Sequence, residues 1–450
     1  MRRGARGGKR GDGHRRSRRI RRADPTRIRP GAPDGTLTGS AGLASFGAFC
    51  RRKGIDELFR RNFYRLKSSS KVVYPMEAQL RLLLDANVAG EARVFGLESL
   101  AADPLFVRLA GGVVPSIDTV YRDLCRFDDQ ALVDLEAMMF AQGVACARRL
   151  DVNELHLDVD TTVECVFGQQ EGALPGPNPR YHGRNSYHPI LAYCAEADAC
   201  VGALLRPGNV GLGTNDAPVI GDWLSRFRKA VGPGVLVTMR IDAGGDCAEI
   251  LQAAHDAEVR FIAKAKLTPD LCGALVGARW RTVERDSSGK PTRQVATVDF
   301  RRSTWVMGYP IRVVAMRTNE RDTGKQVQLW SDLDYSVHAY ITNDWQTDPD
   351  EIAWEYDGRA EVEPAIAELK YGWGIGKIPS HDFAANHATL LLKILGHNLM
   401  RRFVRWTAPH LASWRIPWLR RALINIPGRL LRSGRRWTLR LPPGSPIRLE

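Results

Sequence analysis

From Leu155 to Glu164 the chain alternates one for one between apolar residues (Leu155, Leu157, Val159, Thr161, Val163) and polar ones (His156, Asp158, Asp160, Thr162, Glu164). A period of two is the signature of a β-strand with one apolar and one polar face. Strand-like runs follow at Pro189–Ala195 and Cys200–Leu205, then a helical stretch over Asn215–Val231. A nearly continuous apolar strand, Val235–Ile241, ends at Asp242; a helix over Cys247–Val259 and a strand over Arg260–Lys266 complete the run. The order strand, strand, strand, helix, strand, helix, strand predicts an α/β layer on a partly parallel sheet. Residues 268–349 break this rhythm. They carry strand-like runs at Arg293–Phe300, Ile311–Arg317 and Tyr340–Asn343, separated by turn formers such as Asp286-Ser287-Ser288-Gly289, and read as a β-rich insertion. Helical patterning resumes from Pro349 to about Tyr371 and again from about Asp382 to Trp406.

At 450 residues the chain has room for two or three domains of roughly 150 residues. Its expected divisions are a disordered basic arm (1–36), a helical DNA-binding region (37–150), two parts of the α/β core (151–267 and 350–408) flanking the insertion (268–349), and a basic C-terminal region (409–450). Within 37–150, Met76–Ala86 and Asp129–Leu150 have helical spacing. Between them Val114-Pro115-Ser116 opens a capped helix through Arg122, the way a recognition helix begins, although a plain capped core helix reads the same.

The net charge of +15 is concentrated: residues 1–30 hold 13 Lys/Arg against 2 acids, and residues 401–440 hold 11 Arg and no acid. Such clusters attract a polyanion, because each phosphate neutralised releases counterions; a solvated tail is the competing reading for residues 1–30. No apolar run approaches the ~18 residues of a membrane span, so no membrane partner is expected. The apolar piece after the early Arg pairs, Ala41 to Cys50, is short and stopped by Arg51-Arg52-Lys53, which argues against an export signal. The eight cysteines form no C-x2-C pair, which excludes a zinc ribbon and fits reduced thiols in cytosol.

Three acids are placed for chemistry. Asp160 shares the polar strand face with Asp158, and either carboxylate suits a hard cation; the bland alternative is a face that meets water. Asp242 ends an apolar strand, where ligands gather in α/β sheets, but a turn or N-cap aspartate looks the same. Read as one helix, the segment from Pro349 puts Tyr356, Arg359, Glu363 and Lys370 on a single face, drifting only about 20° per heptad. A solvated face with an Arg359–Glu363 pair is the alternative. Three acids on three core elements suit two-metal phosphoryl transfer, with Mg²⁺ ions about 3.5–4 Å apart. Arg359 and Lys370 would then grip DNA phosphates. Trp305, Trp330 and Trp345 in the insertion are available to stack on bases, against a favoured reading as strand core. His182 and His188 flank a loop with Arg180 and Arg184, where DNA contact or structure is preferred over metal ligation.

Tyr356-x2-Arg359-x3-Glu363-x6-Lys370 matches the Y-R-E-K signature of bacterial insertion-sequence DDE transposases with an RNase H-like fold. Within the insertion-sequence 4-like superfamily the chain most resembles the insertion-sequence 1380 group. Leu157–Thr162, Gly183–Pro189, Leu205–Asn209, Arg240-Ile241-Asp242 and the Arg-rich tail Leu419–Leu441 resemble that group too. The resemblance spans roughly 37–441. It implies an RNase H-like core with a β-rich insertion, preceded by a helical DNA-binding region. It selects Asp160, Asp242 and Glu363 as catalytic and metal-binding residues. The group's insertion between the second Asp and the Glu matches the 121-residue gap from Asp242 to Glu363. Also implied are Mg²⁺ or Mn²⁺, two ions; DNA contacts from Tyr356, Arg359, Lys370, Arg184 and Arg122; cleavage at inverted-repeat ends and transfer of the 3′-hydroxyl into target DNA; a homodimer in the synaptic complex; and a bacterial, nucleoid-associated cytoplasmic location. The family's D-S-G-F after the second Asp is here Asp242-Ala243-Gly244-Gly245. Two other readings stand beside this one, an RNase H-like nuclease without joining activity and an inactive DNA-binding relic.

Overall fold

The computed structural model describes residues 24–176, 178, 182–319 and 335–445. Arg180, Trp330 and residues 1–23 of the expected arm lie outside them. Two compact units are distinguished, Met1–Gly35 and Thr36–Glu450. In the first, a short 3-10 turn, Pro25–Arg27, is capped by Asp24, whose carboxylate accepts from the Thr26 amide.

The second unit is built on one nine-stranded sheet. Its strands are β1 (Glu154–Thr161), β2 (Ile190–Cys194), β3 (Ala199–Leu204), β4 (Leu236–Ile241), β5 (Arg260–Lys264), β6 (Arg281–Arg285), β7 (Pro291–Val298), β8 (Arg312–Thr318) and β9 (Ser336–Thr342). Their order is β3-β2-β1-β4-β5-β9-β8-β7-β6. β1, β4 and β5 run parallel and β2 and β3 antiparallel to their neighbours. Strands 3-2-1-4-5 in that arrangement form an RNase H-like core. The insertion extends the same sheet: β9 pairs antiparallel with β5 through Ile262↔Thr342.

Apolar side chains decide the two faces. Leu155, Leu157 and Val159 of β1 pack with Ala192, Val201, Met239 and Phe261 against helices α6 (Ala217–Val231) and α7 (Ala248–Asp256). Trp223 of α6 lies on Gly202 of β3 so closely that a Cβ there would stand 2.3 Å from the indole; only glycine fits. On the other face, β2 and β3 are covered by α5 (Asp129–Ala147) and α10 (Phe383–Thr407). Helices α1 (Gly42–Arg52), α2 (Ile55–Phe63), α3 (Met76–Ala89) and α4 (Ile117–Leu124) join this core. Phe46 and Phe49, for example, each stand 5.6 Å from Phe403. Asn398 of α10 accepts from the Cys200 amide and donates to the Cys200 and Met139 carbonyls. It thereby satisfies the backbone of Cys200 on β3, the outermost strand of the sheet.

The helical stretch from Pro349 is broken. α8 (Pro349–Asp357) gives way to a 3-10 turn (Gly358–Glu361), then α9 (Val362–Ala367) and a π turn (Glu368–Gly372). Pro364 lacks the N–H and crowds the carbonyl four residues back, so an uninterrupted helix cannot pass. α8 covers β5 and β7–β9 through Ile352, Ala353 and Tyr356. Between α8 and α10 the sheet presents its polar stripe, Asp158 and Asp160 of β1 with Arg240 of β4; Asp158 and Arg240 are buried rather than wet, and Asp160 is half-buried. A hairpin, β10 (Gly428–Ser433) and β11 (Arg436–Arg440), pairs with Leu37–Thr38. Among the described residues no helix is long and apolar enough to cross a membrane.

Candidate active site

The parallel pairing of β1 with β4 sets Val159 opposite Ile241. Asp160 and Asp242, the next residues, therefore stand side by side at the carboxyl ends of two central strands, where α/β sheets gather ligands. Asp160 Oδ1 accepts from the Thr161 amide at 2.8 Å. Asp242 caps a short turn, Ala243–Gly245, and accepts from the Gly244 amide at 2.9 Å. A Cβ on Gly245 would meet the Ile241 side chain at 2.3 Å, so the Gly245 that departs from the family pattern has a packing reason here. Burial pushes the Asp160 carboxyl above the usual carboxylate range; Arg359 pulls it back, and the charge of Asp242 pushes with burial.

Asp158 is differently engaged. It is fully buried, and both its oxygens accept from Arg240, at 2.7 Å from Nε and 2.8 Å from Nη2.

Arg359 Nη2 lies 3.3 Å from Asp160 Oδ1 and 3.4 Å from the Val159 carbonyl. Its Nε is buried without a hydrogen-bond partner. Lys370 donates to Thr162 Oγ1 at 2.7 Å and to the Val163 carbonyl at 3.0 Å, and faces Glu164 at 3.5 Å, which pins the chain leaving β1. Tyr356 is buried 4.7 Å from the Tyr340 ring, and burial pushes its hydroxyl up to about 12. Because the segment is broken, Glu363 does not share their direction: it stands exposed on α9. Of the Y-R-E-K set, Tyr356, Arg359 and Lys370 turn toward the sheet, and Arg359 pairs with Asp160 instead of Glu363.

Among the described residues, the three metal-ligating side chains whose ligand atoms lie within 4.8 Å of one another are Glu154, His156 and Glu355. Glu154 and His156 lie toward the amino end of β1, away from Asp160, and Glu355 reaches them from α8. Arg260 pairs with both Glu154 and Glu355, and with Asp344 at 3.0 Å. His156 bridges Glu196 (2.7 Å) and Glu355 (2.9 Å). Burial disfavours its charged form, but these two carboxylates outweigh burial and lift it to about 9. In this structure the group forms an ion-pair network. A histidine raised from roughly 6.5 in the unfolded chain stabilises the fold fully below that pH and loses the contribution as pH climbs through about 9. Urea unfolding at pH 6.5 and 9.5 is expected to show a loss of at most about 3 kcal/mol that His156→Asn lacks. An equal loss in the variant would remove His156 as the source.

The remaining predicted residues divide. Arg122 is exposed on α4, and Arg184 is exposed with its guanidinium 5.3 Å from the Phe167 ring. His182 is exposed, whereas His188 is buried with Nδ1 2.6 Å from the Val210 carbonyl, a structural role. Trp305 is 2 % exposed and its indole N–H is held by Asp246 Oδ1 at 2.9 Å, so it is core and cannot stack on a base; Trp345 is 55 % exposed.

Sequence reasoning missed Asp246. Its side chain is fully buried and accepts from the Lys266 amide and Arg302, as well as Trp305, tying the loop after Asp242 to the insertion. The signal was only an acid four residues past Asp242.

The family described as transposase DDE domain, group 1, matches residues 24–449. The chain belongs to this DDE transposase family. No curated protein matches it. Among solved structures, a cryo-EM structure of a piggyBac transposase synaptic complex with hairpin DNA is similar. The TM-score is 0.43 at 10% identity, over 84% of this chain and 78% of that one. As a DDE transposase the chain is a DNA-cleaving and DNA-transferring enzyme, with DNA as its partner and divalent metal in its chemistry. The donor set fits a hard divalent cation, with two carboxylates at adjacent strand ends, one of them desolvated and repelled by the other.

Proposed function

We propose that this DDE transposase cuts DNA at the inverted-repeat ends of an insertion sequence and transfers the freed 3′-hydroxyl into target DNA, with Asp160, Asp242 and Glu363 as its catalytic acids. The observation that carries the reading is the juxtaposition of Asp160 and Asp242 at the ends of β1 and β4. The engagement of both Asp158 oxygens by Arg240 supports Asp160 over its neighbour. Asp160 and Asp242 hold Mg²⁺ or Mn²⁺, two ions in the complete complex. Bound there, the metal supplies Lewis-acid stabilisation and activation of the attacking oxygen. Glu363 completes the set from α9, whose exposed position beside a 3-10 turn and a π turn leaves it adjustable when DNA is seated.

Arg359, beside Asp160, grips a phosphate there, and Lys370 keeps the end of β1 in place. Tyr356 backs the acids from the core of α8. The exposed Arg184 and Arg122 reach phosphates farther along the DNA. We read the chain as a member of the insertion-sequence 1380 group of bacterial transposases, working in the cytoplasm as a homodimer that brings two ends together.

Incubation with end-bearing DNA and a target plasmid in Mg²⁺ tests this reading. Cut and joined products are expected, and a chelator should remove both while DNA binding persists. Cutting that survives the chelator would refute metal chemistry, and cut ends that never join would leave a nuclease.

A further inference from the structure

The Arg-rich end of the sequence folds into a ribbon with two unlike faces. In the β10–β11 hairpin Arg429 lies opposite Arg440, Leu430 opposite Leu439, Arg432 opposite Trp437 and Ser433 opposite Arg436. Opposed residues share a face and successive ones alternate. One face carries Leu430, buried, with Leu439, half-buried, and Trp437, which has Arg108 at 4.9 Å and Arg432 at 5.6 Å from its ring. That face packs on the body at Leu430 and leaves Trp437 partly exposed. The other carries Arg429, Arg436 and Arg440, all exposed, with half-buried Leu431 and exposed Thr438 and Ser433 between them, and Arg435 follows at the turn beside Gly434, whose φ of +59° suits glycine.

Residues 401–440 contain no acid, so Arg435, Arg436 and Arg440 concentrate positive charge on this exposed part of the ribbon, which a polyanion would neutralise. Leu37–Thr38 pair only with Arg429 and Gly428, so from Leu431 to Thr438 the hairpin is a two-stranded ribbon. A ribbon of that kind fits the major groove of duplex DNA, roughly 12 Å wide. Guanidinium groups match phosphate oxygens in pairs.

We propose that the arginine face of this hairpin is a docking surface for the phosphates of duplex DNA. The proposal rests on the reading of the chain as a DNA transposase and uses none of the residues of the acid site.

The test is titration of the full chain with a short duplex of arbitrary sequence between about 50 and 200 mM salt. Against wild type, the triple variant Arg435→Ala, Arg436→Ala, Arg440→Ala should bind the duplex at least tenfold more weakly at the lower salt. The slope of log affinity against log salt should shrink by about 2 to 3, near 0.9 for each phosphate no longer neutralised. The matching triple lysine variant should keep the wild-type slope, since charge is retained. An unchanged slope in the alanine variant overturns the proposal. So does equal loss in the lysine variant, which would trace the effect to ribbon shape, and so does an equal loss on a single strand of the same length. Cutting of saturating DNA in Mg²⁺ is expected to be the same in all three proteins. Its absence from wild type would sink the acid-site assignment and leave the ribbon's salt slope to be judged by itself.

Discussion

Asp160→Ala is expected to lower metal-dependent DNA cleavage by at least about a thousandfold, since a metal-holding carboxylate supplies several kcal/mol of transition-state stabilisation and each 1.36 kcal/mol is tenfold in rate. Asp242→Ala should match it, because the two acids stand at adjacent strand ends and act on one cation set. DNA binding should survive. Among the described residues Asp160 is held by the Thr161 amide and Arg359, so its loss removes no part of the apolar core. Single-turnover cleavage read beside gel-shift affinity separates the effects. Full cleavage by Asp160→Ala would take that residue out of the site, while joint loss of cleavage, binding and cooperative melting would mean a folding defect.

Arg240→Ala is expected to cost about 3–5 kcal/mol of stability, because it strands the Asp158 carboxylate, 0 % exposed, in the interior without its guanidinium. The variant also frees the Glu355 carbonyl, to which Arg240 Nη1 donates at 2.8 Å, and so loosens α8 from β4. Denaturant unfolding measures the loss. A change below about 1 kcal/mol would show that Asp158 is neutralised some other way. The double change Arg240→Met with Asp158→Leu should recover much of the loss, since a buried ion pair replaced whole by apolar groups is often neutral.

These two residues also mark how far the sequence could be read. β1, β4 and β5 were legible because Leu155, Leu157 and Val159, and the apolar run before Asp242, carry the period that packing on α6 and α7 demands. Asp160 and Asp242 were legible as the polar residues closing those strands. What the polar face met was not: the partner of Asp158 lies 82 residues away, and no local pattern announces Arg240. The stretch from Pro349 read as one helix because its 3.6 periodicity is genuine on either side of the break. Pro364 was the overlooked signal, and it explains why Glu363 departs from the direction of Tyr356 and Arg359. The helices of 37–150 were legible singly, but that they share a core with α10 depends on long-range packing such as Phe46 on Phe403. The terminal hairpin read only as a run of charge, since its irregularly spaced arginines hide the Leu430–Leu439 pair that defines its inner face.

The insertion leaves the core after β5 and returns to it as β9, the very strand that pairs with β5. Its entry and exit are therefore neighbours, and β6 to β8 extend the sheet beyond the β5–β9 seam, tied back to the core through Asp246 and α8. Length changes at the outer turn, Asp286–Gly289, leave that seam untouched, because the chain ends that must meet are already zipped together. The insertion's outer strands and turns can be enlarged or trimmed while the acids, two and three strands from β9, keep their spacing. The fold thus separates the portion of the enzyme free to diversify from the portion that must stay fixed.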